Sequence, residues 1–129
     1  MRLSHVAIWT QDLEGLTAFY AEFFDGQAND KYVNPDTGFE SYFVTFTSGA
    51  RLELMQMASI PAARHDPLEQ GQGLTHLAFS VGSRERVDQL TERLRKQGYR
   101  IVSEPRTTGD GYYESVALDP DGNRVEITI

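Results

Sequence analysis

The chain writes one short strand twice, as GARLEL at 49–54 and GNRVEI at 122–127. Each reads Gly, any residue, Arg, aliphatic, Glu, aliphatic. A second matched pair precedes them, HVAIWT at 5–10 and HLAFSV at 76–81, each with the order His, aliphatic, Ala, apolar. The two His lie 71 residues apart and the two Glu 73, so shifts of a residue or so align the halves. Such a repeat constrains the fold more than composition does, because each copy must build the same supersecondary unit.

That unit can be read from periodicity. After the first His strand comes DLEGLTAFYAEFFDG at 12–26, with Leu13, Leu16, Phe19, Tyr20, Phe23 and Phe24 at helical spacing. Asp12 is its expected N-cap and Gly26 its C-terminal stop. After the second comes SRERVDQLTERLRKQG at 83–98, with Ser83 as N-cap, Val87, Leu90 and Leu94 as the apolar stripe, and Gly98 as the stop. Extended segments follow each helix, roughly 28–33, 41–47 and 50–57 in the first half and 99–103, 113–118 and 123–128 in the second. DPDG at 119–122 is a turn with Pro at its second position. The expectation is an α+β fold of two tandem βαβββ modules forming a cupped mixed sheet. As one domain over 1–129, it has module 1 at about 1–57, a linker at 58–72 holding Pro61 and Pro67, and module 2 at about 73–129. His65 falls in the linker and reads as a loop residue, while the four aromatic residues of the first helix read as core.

Composition closes off several classes of function. A formal charge of −7 argues against nucleic acid or an anionic membrane as the partner. With no cysteine, thiolate nucleophiles, disulfides and cysteine-based zinc sites are excluded. Nothing near the start reads as a signal peptide, and no apolar run approaches the roughly 20 residues of a spanning helix. A cytoplasmic location is expected.

Strand alternation then orients the repeated residues. His5, Ala7 and Trp9 share one face of their strand, as do His76, Ala78 and Ser80. In the Glu strands, Arg51, Glu53 and Met55 oppose Leu52 and Leu54, and Arg124, Glu126 and Thr128 oppose Val125 and Ile127. The aliphatic faces need the helices as cover, which leaves both His and both Glu on the uncovered face. Taken singly, each would read as the wet side of a strand. Taken at matched positions in a repeat, two imidazoles and two carboxylates form a donor set for one divalent metal. Arg51 and Arg124 read as partners of neighbouring acids or as residues of the rim.

HVAI, RLELM, GLTHLAF and DPDGNRVEI in paired βαβββ modules resemble the vicinal oxygen chelate superfamily over essentially the whole chain. The order His, Glu, His, Glu is similar to that of glyoxalase I (lactoylglutathione lyase). Extradiol dioxygenases and fosfomycin-resistance enzymes of this fold usually lack the carboxylate found here at Glu53, and methylmalonyl-CoA epimerase usually has Gln there. The resemblance implies one divalent ion per site held by His5, Glu53, His76 and Glu126, with Ni²⁺ or Co²⁺ favoured and Zn²⁺ admissible. It implies proton transfer through an enediolate, turning a methylglyoxal–thiol hemithioacetal into a lactoyl thioester, with Glu126 as base and Glu53 as its pseudo-symmetric counterpart. It also implies a homodimer with sites at the subunit interface and a small molecule as the only other partner.

Two positions depart from the glutathione-using members. Trp9 stands four residues after the first His, where those members usually have Arg, and Met57 four after the first Glu, where they usually have Asn. Trp and Met offer stacking and apolar contact in place of carboxylate recognition. Both are candidate substrate contacts, or packing residues at a subunit interface. They leave open another thiol, another α-hydroxycarbonyl substrate, and a binding protein without turnover.

Overall fold

The computed structural model describes residues 1–63 and 66–129, so His65 of the linker lies outside the described residues. The chain forms two compact units, Met1–Arg64 and His65–Ile129. The first unit runs β1 (His5–Trp9), α1 (Leu13–Phe24), β2 (Gln27–Ala28), β3 (Tyr32–Asn34), β4 (Phe39–Thr45) and β5 (Arg51–Gln56). The second runs β6 (His76–Ser80), α2 (Arg84–Lys96), β7 (Ile101–Thr107), β8 (Tyr113–Leu118) and β9 (Arg124–Thr128). Each unit has its own mixed sheet, ordered β1-β5-β4-β2 with β3 also on β4, and β6-β9-β8-β7. The tandem βαβββ pattern is therefore present, with one refinement. The expected strand 28–33 is broken at residues 29–31, where the Asn29 side chain accepts the Phe43 amide at 2.8 Å and the Asn29 amide donates to the Phe43 carbonyl.

Both helices begin as their caps predict. Asp12 accepts the Gly15 amide at 2.9 Å, and the Gln56 side chain at the end of β5 accepts the Leu13 amide at 2.8 Å. Ser83 caps α2 through the Arg86 amide. Helix α2 ends at Gly98, whose φ of +89° lets the Tyr99 amide return to the Leu94 carbonyl and its own amide to that of Arg95. Helix α1 ends differently from expectation, because Asp25 takes the left-handed turn at φ +55°. Gly26 is needed for closeness instead. A Cβ there would lie 2.5 Å from Val44 Cγ1 and 2.9 Å from the Tyr20 carbonyl, so the chain passes against β4 only without a side chain.

The helices cover the aliphatic faces. In the first unit Leu13, Leu16, Phe19, Tyr20 and Phe23 are buried with Val44, Leu52 and Leu54. Phe19 and Tyr20 meet edge to face at 5.2 Å, and with Phe23 they are core as expected, whereas Phe24, against Phe19 and Tyr20, is only half-buried. In the second, Val87 and Leu94 are buried with Ala117, Leu118, Val125 and Ile127. Thr91, and not Leu90, completes the buried stripe of α2. Its hydroxyl lies 2.6 Å from both the Val87 carbonyl and Ser115 Oγ, so this buried polar group is satisfied. The turn at 119–122 closes through Gly122 to Asp119, whose carboxylate also accepts the Asp121 and Asn123 amides. Among the described residues, no helix is long and apolar enough to cross a membrane.

Candidate metal centre

The two central strand pairs carry the same register. Parallel β1–β5 places His5 beside Arg51 and Ala7 beside Glu53, and parallel β6–β9 places His76 beside Arg124 and Ala78 beside Glu126. Opposed residues in a pleated pair share a face, so each His and the Glu two residues along stand on the face its helix leaves open. Exposure alternates as predicted, with His5, Ala7 and Trp9 outward, and His76, Ala78 and Ser80 outward. The Ala between His and Glu puts no bulk in the way.

In the first unit His5 Nε2 lies 3.6 Å from Glu53 Oε2, and in the second His76 Nε2 lies 3.3 Å from Glu126 Oε2. The first distance exceeds a normal hydrogen bond. Adjacent ligands bound at about 2.1 Å to one ion sit roughly 3 Å apart, so both spacings suit chelation. One imidazole and one carboxylate per unit fit a divalent ion by donor chemistry as well. The other nitrogen of His5, Nδ1, is 3.3 Å from Ser4 Oγ, a contact able to set its tautomer. Within neither unit do three or more His, Asp or Glu among the described residues gather as a complete metal site. Each unit brings two donors.

The two pairs have different surroundings. The His5 ring meets Phe43 edge to face at 5.5 Å, and the Arg51 guanidinium stacks 4.3 Å above the same ring. Trp9, 41% exposed, meets Phe39 at 5.9 Å, and Tyr32 also touches Phe39. Glu126 instead shares its sheet face with Glu114 of β8, the residue paired with Thr128 two positions along. Burial, partly countered by His76 and then reinforced by Glu114, raises the Glu126 pKa above the ordinary carboxylate value. Arg124 donates to the Leu68 carbonyl at 3.0 Å. Among the described residues neither Arg of the repeated motif pairs with an acid, the first of the two roles expected of them. Met57 lies just past β5 and is half-buried.

Glu114 and Arg106 escaped the sequence reading. The signal for Glu114 was present, since Ser115 and Ala117 alternate as the inward residues of β8 and leave Glu114 and Val116 on the Glu126 face. Arg106 had no such signal. Between Ser103 and Arg106 a bulge shifts the β7–β8 register, and it brings Arg106 Nη1 to 2.9 Å from Ser103 Oγ.

Residues 2–127 match the Glyoxalase/Bleomycin resistance protein/Dioxygenase superfamily. The uncharacterized protein YqjT of Bacillus subtilis is 28% identical over 97% of this chain and 96% of its own. The fosfomycin resistance protein FosX of Listeria monocytogenes is 32% identical over 84% of this chain and 75% of its own. Glyoxalase I from Zea mays superposes with a TM-score of 0.80 at 25% identity, over 98% of this chain, which spans only 44% of the maize protein. With the family match extending over nearly the whole sequence, the chain belongs to the Glyoxalase/Bleomycin resistance protein/Dioxygenase superfamily.

Proposed function

We propose that the protein is a glyoxalase I-like metalloenzyme that moves a proton between adjacent carbons of a methylglyoxal–thiol hemithioacetal to yield a lactoyl thioester. The observation that carries this reading is the pair of His–Glu couples in identical register, each spaced for adjacent coordination. His5, Glu53, His76 and Glu126 would hold the ion, Ni²⁺ or Co²⁺ by preference and Zn²⁺ as an alternative. When bound, the ion supplies Lewis acidity for the negative charge that grows as a carbon-bound proton leaves. Glu126 takes that proton and returns it to the neighbouring carbon, and Glu53 is its counterpart across the site. Burial raises the proton affinity of Glu126 in the metal-free chain, a bias suited to a base. Trp9 and Met57 would meet the thiol end of the substrate.

The working form in this reading is a homodimer. Each site combines the first module of one chain, about 1–57, with the second module of its partner, about 73–129, across the linker 58–72. Two donors per unit call for a second unit to complete the site, that of a partner in this reading or of the same chain in the alternative. Mixing His5→Ala chains with Glu126→Gln chains tests it, since a shared site restores one intact centre per heterodimer. Recovery to about a quarter of wild-type activity follows from random re-pairing of a two-fold dimer. No recovery despite proven subunit exchange would refute sharing.

The activity itself is tested by loading the protein with Ni²⁺ or Co²⁺ and supplying methylglyoxal with several thiols, glutathione included. Thioester formation with any of them is expected, and failure with all would defeat the reading. A second reading, a role in fosfomycin resistance, is favoured by the 32% identity to FosX. It predicts metal-dependent consumption of fosfomycin in the same assay and no thioester.

A further inference from the structure

Register lets the open faces of the two sheets be matched row by row. One row beyond Glu53, the residues Trp9, Met55, Ser41 and Tyr32 stand side by side across β1, β5, β4 and β3. The matching row beyond Glu126 is Ser80, Thr128, Glu114 and Arg106. The second row is polar from end to end. The first carries a thioether and two aromatic side chains that are 41% (Trp9) and 54% (Tyr32) exposed. Phe39, two residues before Ser41 and so on the same face of β4, links them. Its ring lies 5.9 Å from that of Trp9 at 89°, and 6.1 Å from that of Tyr32 at 56°. The sheet does not need these rings, since the second unit builds the same ladder with Ser80 and Arg106 in place of Trp9 and Tyr32.

We propose that Trp9, Phe39 and Tyr32 form a seat for a flat, uncharged aromatic group of the substrate, carried in the proposed reaction on its thiol. This names a substrate class for the reading above and rests on it. Two rings set nearly at right angles present a face and an edge to a third, the two approaches that aromatic pairs favour. Both Trp9 and Tyr32 still expose apolar surface to water, so a ring seated there gains by covering it. Successive rows of one sheet face are about 7 Å apart. A group in the seat therefore sits close to a centre held by Glu53, as a ring one or two bonds from the sulfur would. Charge points the same way. The row itself contains no cation, and the Arg51 guanidinium lies on the far side of Glu53, 4.3 Å from the centre of the Phe43 ring. The Lys31 ammonium is occupied by Glu14 and Glu40 at 2.8 and 3.2 Å. A thiol bearing carboxylates, as glutathione does, gains nothing from this row.

Trp9 is the only tryptophan of the chain, so its emission reports on the seat directly and without turnover. The whole metal-free protein is titrated with benzyl mercaptan, with 2-mercaptoethanol as the ringless thiol, and with glutathione. Benzyl mercaptan should change the emission saturably, and the other two should need about tenfold higher concentrations or more. The Ni²⁺-loaded protein, given methylglyoxal with each thiol, should show the same order in kcat/KM. Phe39→Ala should cut the preference for the benzyl over the 2-mercaptoethanol adduct by about tenfold, because it removes the ring that links the other two. Tyr32→Ala, at an exposed position outside the core, should cut it by about threefold. A glutathione adduct used as well as the benzyl one, or a preference unchanged in both variants, would overturn the seat and leave the lyase reading standing. So would an emission that shifts with protein concentration alone and ignores benzyl mercaptan, since a second copy would then cover Trp9. Saturable binding of benzyl mercaptan with no thioester from any thiol would overturn the lyase reading and leave the seat.

Discussion

The open sheet faces of the two units carry the same His-x-Ala and Arg-x-Glu ladder in different company. On the first, His5 and Glu53 stand among Phe43, Phe39, Trp9 and Tyr32, with the Arg51 guanidinium laid over the Phe43 ring. On the second, Glu126 stands among Glu114, Arg106 and Ser103. The repeated strands β1, β5, β6 and β9 hold the donors, while the outer strands decide what surrounds them. The ladder recurs because register is set by alternation and burial on the helix side. The open-face residues of β3, β4, β7 and β8 lie outside that helix-side core and differ between the units. In the proposed reading, the aromatic half would meet the body of a substrate and the charged half would surround the base.

The largest expected effect falls on that division of labour. With Glu126 as base, Glu126→Gln should lower kcat by about 10²–10⁴-fold at saturating metal, the usual worth of a positioned general base. Glu53→Gln should weaken metal binding and lower kcat far less. Equal losses in kcat would make the two halves functionally equivalent and break the comparison.

The cores behind the two faces differ in kind as well. Leu54 of β5, fully buried in the first unit, should cost about 2–5 kcal/mol as Leu54→Ala in chemical denaturation. In the second unit the Thr91–Ser115 hydroxyl pair does part of that work. Thr91→Val keeps the shape and removes the partner of Ser115, so a cost of about 1–3 kcal/mol is expected. A neutral Thr91→Val would show that Ser115 finds another partner.

On the aromatic side, Trp9→Arg combined with Met57→Asn should lower KM for the glutathione hemithioacetal by roughly tenfold, the contribution of one charge-assisted hydrogen bond. Efficient turnover of that adduct by the unaltered protein would mean that the aromatic face already serves glutathione.

The smallest expected effect is a pH dependence of metal-free stability. Burial raises Glu126 above its usual 4.5, so the native chain retains a proton that the unfolded chain has released. Stability then declines as pH rises from 4.5 through the raised native value, and remains lower above it. Glu126→Gln should flatten that decline in urea titrations between about pH 4 and 8 and be relatively stabilising at the upper end. A decline unchanged by the substitution would place its origin in another group.

Much of the fold lay open in the sequence, for local physical reasons. The caps Asp12 and Ser83, the stop at Gly98 and the Asp119–Gly122 turn depend on a few consecutive residues, and so does the face on which each His and Glu stands. Strand pairing joins segments 46 to 48 residues apart, yet the repeat made the pairing legible twice. Where several local signals competed, only packing decided. Asp25 takes the left-handed turn because Gly26 is needed against Val44, and Thr91 replaces Leu90 in the buried stripe because Ser115 supplies its hydroxyl with a partner. The surroundings of the donors were likewise a tertiary matter. Whether Glu126 meets a carboxyl or an aromatic ring depends on β8 lying beside β9 and on a bulge in β7, and neither leaves a mark on the residues next to Glu126. Sequence by itself determined the sheet face on which the repeated His and Glu stand, because alternation is a property of the strand alone. Tertiary structure decided what stands beside each donor, because neighbours across a sheet are distant along the chain.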